Sequence, residues 1–416
     1  MHNVFLKSIL ILCLTTLHPV FSQQRKTDDK NLLLHLMQKY PAKFAAILKD
    51  PAHFKVQIIY SQIDRSKNGN KRFNSFYFRH NSSEYFDPAS MVKLPLSILA
   101  LEKLDLINVP GLDRNTRLEI ESSNPCQASL ISDPSAIDSV ATIGHFIRKA
   151  LIVSDNDSYN RLFQFLGQKY IQDRLIDLGF QNCRIVQLFS KCDSTDCKYS
   201  PTFRFYNKGE VIYTQNQTIN TSSYSPPLRN MVIGKKSINK YNKVVNHGKD
   251  FSKKNFFPLD EMHLLLTHLV FPDPFQNGKK MQIKEEERNF ILANMSCTPD
   301  ESGIAVFKDS ADFFPTLTNY LFYGSDRNKK PDKNLKIYNI VGQSYGFLSD
   351  CAYFSDTSNK VEFFLSAVIY VNNNQIVNTG TYEYISVGFP FMMNLGQLIY
   401  NYELTRKNET VHMTFR

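Results

Sequence analysis

The sequence predicts an α/β chain of the α+β kind: an antiparallel sheet with flanking helices, built from both chain ends, plus an inserted, mainly helical lobe. Three observations predict it. β-rich apolar runs lie toward both ends, around Val56, Ile58 and Ile59 and at 73–78, then at 337–341, 346–354 and 361–371. The clearest pieces between them have helical spacing. One helix, over residues 91–106, carries apolar side chains on all its faces, as a helix buried on every side must.

The elements follow in order. Residues 31–39 and 42–48 read as helices broken at Pro41. The β-branched run ending near Ile63 and the aromatic run at 73–78 flank Asn68-Gly69-Asn70, which predicts a hairpin. Met91, Leu94, Ile98, Leu101 and Leu104 give the 91–106 helix one apolar face, and Val92, Leu96 and Leu99 fill the others. Helices are expected at 143–152, 157–166 and 259–270, an irregular polar stretch at 191–257, and a terminal helix at 389–404. The expected layout is one domain over 23–405, with a sheet lobe from about 28–107 and 300–405, a helical lobe over about 108–299, and a tail at 406–416.

The 416 residues are 42% hydrophobic and 21% charged, an ordinary globular composition, with a net charge of +10. Lys7, the short apolar run 8–17 and Phe21-Ser22-Gln23 read as a secretory signal over 1–22. Cys13 is assigned to that signal and not to a lipid anchor, because the bulky Leu12 precedes it. The expected location is therefore periplasmic or extracellular, with no stable membrane span. Export permits disulfides among Cys126, Cys183, Cys192, Cys197, Cys297 and Cys351, and the short spacing favours a local Cys192–Cys197 clip. No cysteine or histidine set has metal-ligand spacing, and His263 and His268, five apart, do not share a helix face. No metal or cofactor is expected. Residues 235–254 hold seven lysines and one aspartate, read as a solvated loop. Aromatic-basic interleaving is missing there, so nucleic acid is not an expected partner; a monomer acting on a small molecule or a peptidoglycan-like substrate is.

Chemistry concentrates at Ser90-Met91-Val92-Lys93, which opens the buried helix. A serine hydroxyl needs a base to become a nucleophile, and a lysine three positions along a helix lies on the same face. Desolvation lowers a lysine's pKa and suits it to that task. Four residues prove little: Ser237-Ile238-Asn239-Lys240 has the same pattern in the lysine-rich loop. Ser154-Asp155-Asn156, after the apolar stretch 150–153, separates the two. Such a triplet alone reads as a helix cap or turn. Beside Ser90 it offers a hydroxyl to relay a proton and an amide to hold a substrate amide.

Ser90 with Lys93, followed by Ser154, Asp155 and Asn156, resembles the signature of the class A β-lactamases and penicillin-binding proteins. Phe86-Asp87-Pro88-Ala89-Ser90 is similar to the nucleophile segment of that family. Gly342-Gln343-Ser344-Tyr345-Gly346 and Asp350-Cys351-Ala352-Tyr353 are similar to its third-motif strand and the stretch beyond that strand. Residues 154–167 resemble an exported, Bacteroidetes-type branch. The resemblance spans about 30–405. It implies a β-lactamase/transpeptidase-like fold and a serine hydrolase acylated at Ser90 by a β-lactam or a related amide or ester. In it Lys93 is the base or its partner, Ser154 the proton shuttle, Asn156 a substrate-positioning residue, and the Ser90 and Gln343 N–H groups the oxyanion hole. Gly342 would let the strand approach substrate.

Two departures accompany the resemblance. Ile340-Val341-Gly342 stands where Lys-Thr-Gly is expected, with Lys336 four residues earlier. The loop glutamate that activates the deacylating water has no counterpart between Gly179 and Asn216; Asp193 and Asp196 are the nearest acids and read as loop solvation. Slow deacylation is therefore expected. The alternatives are a catalytically impaired protein of this fold that binds cell-wall peptide or another envelope partner, and a D,D-peptidase-like enzyme.

Overall fold

The computed structural model describes residues 31–413 apart from 67, 123, 191, 226, 227, 309 and 310. The signal expected at 1–22, Cys13 included, lies outside the described residues.

Helix α1 (Leu32–Gln38) and helix α2 (Pro41–Lys49) open the chain. Pro41 sits at the first position of α2, where its missing N–H costs nothing. Strands β1 (Gln57–Arg65) and β2 (Lys71–Phe78) form the expected hairpin. A 3₁₀ turn, Ala89–Val92, runs directly into α3 (Lys93–Ile107). Strand β3 (Arg117–Glu121) follows, then α4 (Ile143–Ile152), α5 (Asn156–Leu166) and α6 (Gln168–Leu178). Next come β4 (Thr202–Asn207) and β5 (Glu210–Gln215), which make a small sheet with β3 in the order β3-β4-β5. After several two- and three-residue strands come α7 (Leu259–Val270) and α8 (Glu285–Met295). Strands β6 (Leu335–Ser344), β7 (Phe347–Asp356) and β8 (Val361–Tyr370) precede the terminal helix α9, Phe389–Met413.

The main sheet has the order β6-β7-β8-β1-β2, with every neighbouring pair antiparallel. Both of its faces are covered, so its inner strands are apolar on both sides and do not alternate apolar with polar. Ile59, Ile63, Ile340, Phe364 and Val368 face the core shared with α3, α5 and α7. Ile58, Tyr60, Val341, Phe363, Leu365 and Ala367 face the opposite core, shared with α1, α2 and α9. Residues 93–102 of α3 are all buried, as its uniform apolar pattern predicts. In the same core His263 bridges α7 to the sheet, its ring nitrogens 2.9 Å from Ser61 Oγ and 2.7 Å from Ser366 Oγ. Burial lowers its pKa to about 4, so it is a neutral structural group.

The structure corrects two expectations. The stretch 191–257 is not irregular throughout, because Phe203 and Phe205 alternate into the core along β4 while polar neighbours face out. Cys192 bonds to Cys126 and not to Cys197. Cys197 is buried, and its sulfur accepts the Leu188 N–H at 3.3 Å. Its partnership is with the loop backbone, while the Cys192 sulfur is committed to Cys126. Among the described residues, Cys126, Cys192 and Asp196 gather as a cation would require, but the two sulfurs are committed to each other. The Cys126–Cys192 bond closes a sequence separation of 66 residues. Replacing both cysteines by serine is expected to lower unfolding stability by about 2–4 kcal/mol through the freed chain entropy. Urea unfolding without reductant measures this, and an unchanged midpoint refutes it.

No helix among the described residues is long and apolar enough to cross a membrane.

Candidate active site

The nucleophile turn is shaped before its chemistry. Asp87 Oδ1 accepts the Ala89 N–H at 2.8 Å, and Ala89 holds a left-handed φ of +45°. That turn places Ser90 half-exposed at the start of the buried helix, with Lys93 fully buried one turn on. Below it, Gly342 of β6 packs against the turn. A side chain at Gly342 would overlap the Pro88 carbonyl oxygen and reach 2.5 Å from Ser349 Oγ. The close approach that Gly342 permits is thus to the nucleophile turn itself.

Ser154-Asp155-Asn156 serves both of its expected readings. Asp155 caps α5, its carboxylate accepting the Ser158 N–H at 2.7 Å. Ser154, just outside the helix, is left-handed at φ +59°. That backbone turns both its carbonyl and its hydroxyl toward Lys93. Asn156, at the first position of α5, points its amide the same way. Lys93 Nζ consequently lies 2.7 Å from Ser90 Oγ, 2.9 Å from Ser154 Oγ and 2.8 Å from Asn156 Oδ1, and also donates to the Ser154 carbonyl.

Four oxygens surround this nitrogen. An ammonium has three protons to donate, whereas a neutral amine has two and a lone pair. The Ser154 carbonyl and Asn156 Oδ1 can only accept. In the neutral form they take both protons, and the lone pair is left for a hydroxyl proton from Ser90 or Ser154. Burial lowers the Lys93 pKa to about 7, against the opposing charge of Asp155, so that form is accessible near neutrality.

The cleft over Ser90 measures about 380 Å³. Asn156, Gln343, Ser344 and Tyr345 line it, together with the segment 187–190, Asp87, Lys254 and Asn255. Tyr345 and Gly346 both have positive φ, the two-residue turn of a tight hairpin between β6 and β7. In such a hairpin Ser344 and Phe347 form the closing hydrogen-bonded pair, so the Gln343 N–H points out from the edge strand. Phe189 stacks on Tyr159 at 4.1 Å and lies 5.5 Å from Lys93 Nζ, roofing the lysine on one side. Asn255 fixes this loop: its Oδ1 accepts the Val186 and Gln187 N–H groups at 2.9 Å each, and its Nδ2 donates to Tyr159 Oη at 3.2 Å.

Ser90, Lys93, Ser154, Asn156 and Gln343 are therefore brought to one place, with Gly342 beneath them. The second Ser-x-x-K pattern is not: Ser237 lies in a short strand and its hydroxyl donates to the His247 carbonyl. Ile340 is buried in the core facing α3, and Lys336 lines a separate depression with Tyr338 and Tyr353, so neither brings a cation to the cleft. Asp193 and Asp196 accept loop hydrogen bonds, Asp193 from Thr195 and Asp196 N–H groups and Asp196 from Asn124 and the Asp193 N–H. Asp87 is the one carboxylate among the described lining residues, and burial raises its pKa to about 6. The reading of 235–254 as solvated needs correction at one end. Lys235, Lys236, Lys240, Lys243 and Lys253 are exposed, but Lys249 and Lys254 are half-buried and Lys254 enters the cleft. Sequence patterning holds no signal for Lys254, Asn255 or Phe189, because loop residues reach a site through tertiary contacts and not through periodicity.

The sequence matches the beta-lactamase enzyme family over residues 42–387. No curated protein matches it. Three similar solved structures are the chromosome-encoded β-lactamase of Vibrio parahaemolyticus and β-lactamases from Burkholderia vietnamiensis and Desulfarculus baarsii. The first is 14% identical, covers 86% of this chain and 97% of its own, and has a TM-score of 0.47. The second is 12% identical, with 87% and 95% covered and a TM-score of 0.48; the third is 13% identical, with 88% and 98% covered and a TM-score of 0.47. With the match spanning most of its length, and with the α/β architecture described above, this chain belongs to the beta-lactamase enzyme family.

Proposed function

We propose that this protein is a serine hydrolase that is acylated at Ser90 by a β-lactam or a related amide or ester of the cell envelope. The carrying observation is the set of oxygens gathered around a buried, depressed Lys93: Ser90 Oγ at 2.7 Å, Ser154 Oγ at 2.9 Å and Asn156 Oδ1 at 2.8 Å. Neutral Lys93 takes the Ser90 hydroxyl proton as Oγ bonds to the substrate carbonyl carbon. The Ser90 and Gln343 N–H groups face the developing oxyanion. As the carbonyl carbon releases its leaving nitrogen or oxygen, the proton returns from Lys93 through the Ser154 hydroxyl, and Asn156 positions the substrate amide. The Cys126–Cys192 bond supports an exported protein, periplasmic or extracellular, since such bonds persist in oxidising compartments.

The lining of the cleft supports slow release of the acyl group. Its one described carboxylate, Asp87, has an oxygen committed to the Ala89 N–H. The same observation favours a second reading, a protein that captures envelope peptide with little turnover. Incubation with a chromogenic cephalosporin and with an acylating penicillin, read by absorbance and intact mass, tests both. The expected result is a covalent adduct that outlives mixing and is lost in Ser90→Ala. No Ser90-dependent adduct or turnover with β-lactams or simple esters sinks the hydrolase reading; many turnovers, lost in Ser90→Ala, sink the second.

A further inference from the structure

Four oxygens surround Lys93 Nζ, one each from Ser90 and Asn156 and two from Ser154. Over the side they leave open lies the ring of Phe189, its centre 5.5 Å from the nitrogen. We propose that Phe189 is a positioning residue that seals the site against water, shielding both the Lys93 amine and the ester formed at Ser90. The part that concerns the ester rests on acylation at Ser90.

Three observations carry this. Phe189 stands between the lysine and the cleft: it is half-buried and lines the cleft over Ser90, whereas Lys93 is wholly buried. The ring is also held in place. It stacks on Tyr159 with centroids 4.1 Å apart and planes 23° apart. Asn160 brackets its backbone, with Oδ1 accepting the Phe189 N–H at 2.8 Å and Nδ2 donating to the Phe189 carbonyl at 3.4 Å. Tyr159 Oη donates to the Gln187 carbonyl at 2.8 Å, and Cys192, further along the same loop, is bonded to Cys126. Finally, Asn156, Tyr159 and Asn160 share one face of α5, being three and four positions apart. The helix that sets Asn156 beside Lys93 thus sets the roof over it.

The consequence concerns water. A water is held where two or more polar groups meet it, and a phenyl face offers none. With four oxygens committed to Lys93 and a ring over the remaining side, the amine gives a water from the cleft no place to dock. Hydrolysis of an acyl-enzyme needs that water. Its oxygen bonds to the ester carbonyl carbon, its proton passes to neutral Lys93, and Ser90 Oγ leaves and takes the proton back. The seal withholds the water and prolongs the ester.

The same seal keeps the amine neutral, because an ammonium there is deprived of hydration. At 5.5 Å the ring attracts a cation, but burial is the larger influence on Lys93 and lowers its pKa. Asp155 is the charge that opposes burial. Residues 187–190 of the roof carry no ionisable side chain, and the charged groups that line the cleft are Asp87 and Lys254.

Phe189→Ala and the conservative Phe189→Leu test the seal against the wild type. An adduct is formed with benzylpenicillin, free drug is removed, and loss of the adduct is followed by intact mass. Phe189→Ala is expected to shorten its lifetime by about 10–100-fold, part of what a general base contributes once water reaches it; Phe189→Leu should retain most of the lifetime. Hydration also raises the Lys93 pKa. The midpoint of the acylation profile should move up by about one pH unit, making Phe189→Ala about 10-fold slower at pH 6, relative to its plateau, than the wild type. The Lys93-dependent gain in stability between pH 7 and 9, taken against Lys93→Met, should shrink for the same reason. A general loosening of the fold moves neither the midpoint nor this slope. An unchanged adduct lifetime, or an unchanged midpoint and slope, in folded Phe189→Ala overturns the assignment; Phe189→Val is read in the same way if Phe189→Ala does not fold. A wild-type protein that forms no adduct counts against the hydrolase reading alone. The stability slope needs no acylation and still decides whether Phe189 seals Lys93.

Discussion

Lys93→Met is expected to slow acylation of Ser90 by about 10²–10⁴-fold, the contribution of a well-placed general base. Methionine fills a similar volume without a basic nitrogen, so the helix persists while Ser90, Ser154 and Asn156 lose their common partner. The wild-type rate should depend on pH through the same nitrogen. Burial lowers its pKa to about 7. Acylation should therefore rise through neutrality, level off above it, and be about 100-fold slower at pH 5, two units below the midpoint. Stability carries the matching sign. Between pH 7 and the ordinary lysine range, the unfolded chain binds a proton at this residue that the folded chain does not, so the folded state gains stability as pH rises. Lys93→Met should flatten that slope between pH 7 and 9. Stopped-flow acylation and denaturant midpoints against pH measure the two effects. A Lys93→Met protein acylated at the wild-type rate, or a wild-type rate flat from pH 5 to 8, would refute the role given to Lys93.

Gly342→Ala should damage both stability and chemistry. The added methyl meets the Pro88 carbonyl on one side and Ser349 Oγ at 2.5 Å on the other. Backbone cannot rotate aside as a flexible side chain can, so strand β6 and the nucleophile turn must part. Overpacking of this kind costs about 1–3 kcal/mol. The separation also moves Ser90 relative to the Gln343 N–H, and a shift near 1 Å in a reacting geometry costs on the order of 100-fold in rate. Thermal unfolding and the second-order acylation rate are the measurements. A variant as stable and as reactive as the wild type would show that the turn and the strand are not held in register by this contact.

Much of the architecture is legible in the sequence. Periodicity places the helices at 143–152 and 259–270 with the bounds observed, and the β1–β2 hairpin follows from its two runs and the turn between them. The terminal helix runs past its expected end at Leu404 to Met413, since no breaker follows. The small sheet of β3, β4 and β5 is illegible because its strands are short and their partner is some 80 residues away in sequence. The Cys126–Cys192 pairing is illegible for the same reason: proximity in space is set by the packing of the loop, not by spacing.

What the sequence by itself determined is the inventory of the site. Ser90 and Lys93 share a helix face because three residues make nearly one turn, and the pattern Ser154-Asp155-Asn156 caps the next helix while offering a hydroxyl and an amide. These are local facts, and local spacing encodes them. What only the tertiary structure decided is how that inventory is completed. The left-handed Ser154 swings two oxygens onto a lysine 61 residues earlier. Gly342 lets an edge strand rest on the nucleophile turn, and Arg184, donating to the Lys254 carbonyl at 2.8 Å, and Asn255 bring Lys254 into a cleft that its own basic run would not suggest. Each of these contacts joins segments remote in the chain. Their energies come from burial, desolvation and backbone fit, which no stretch of residues specifies until the layers have packed.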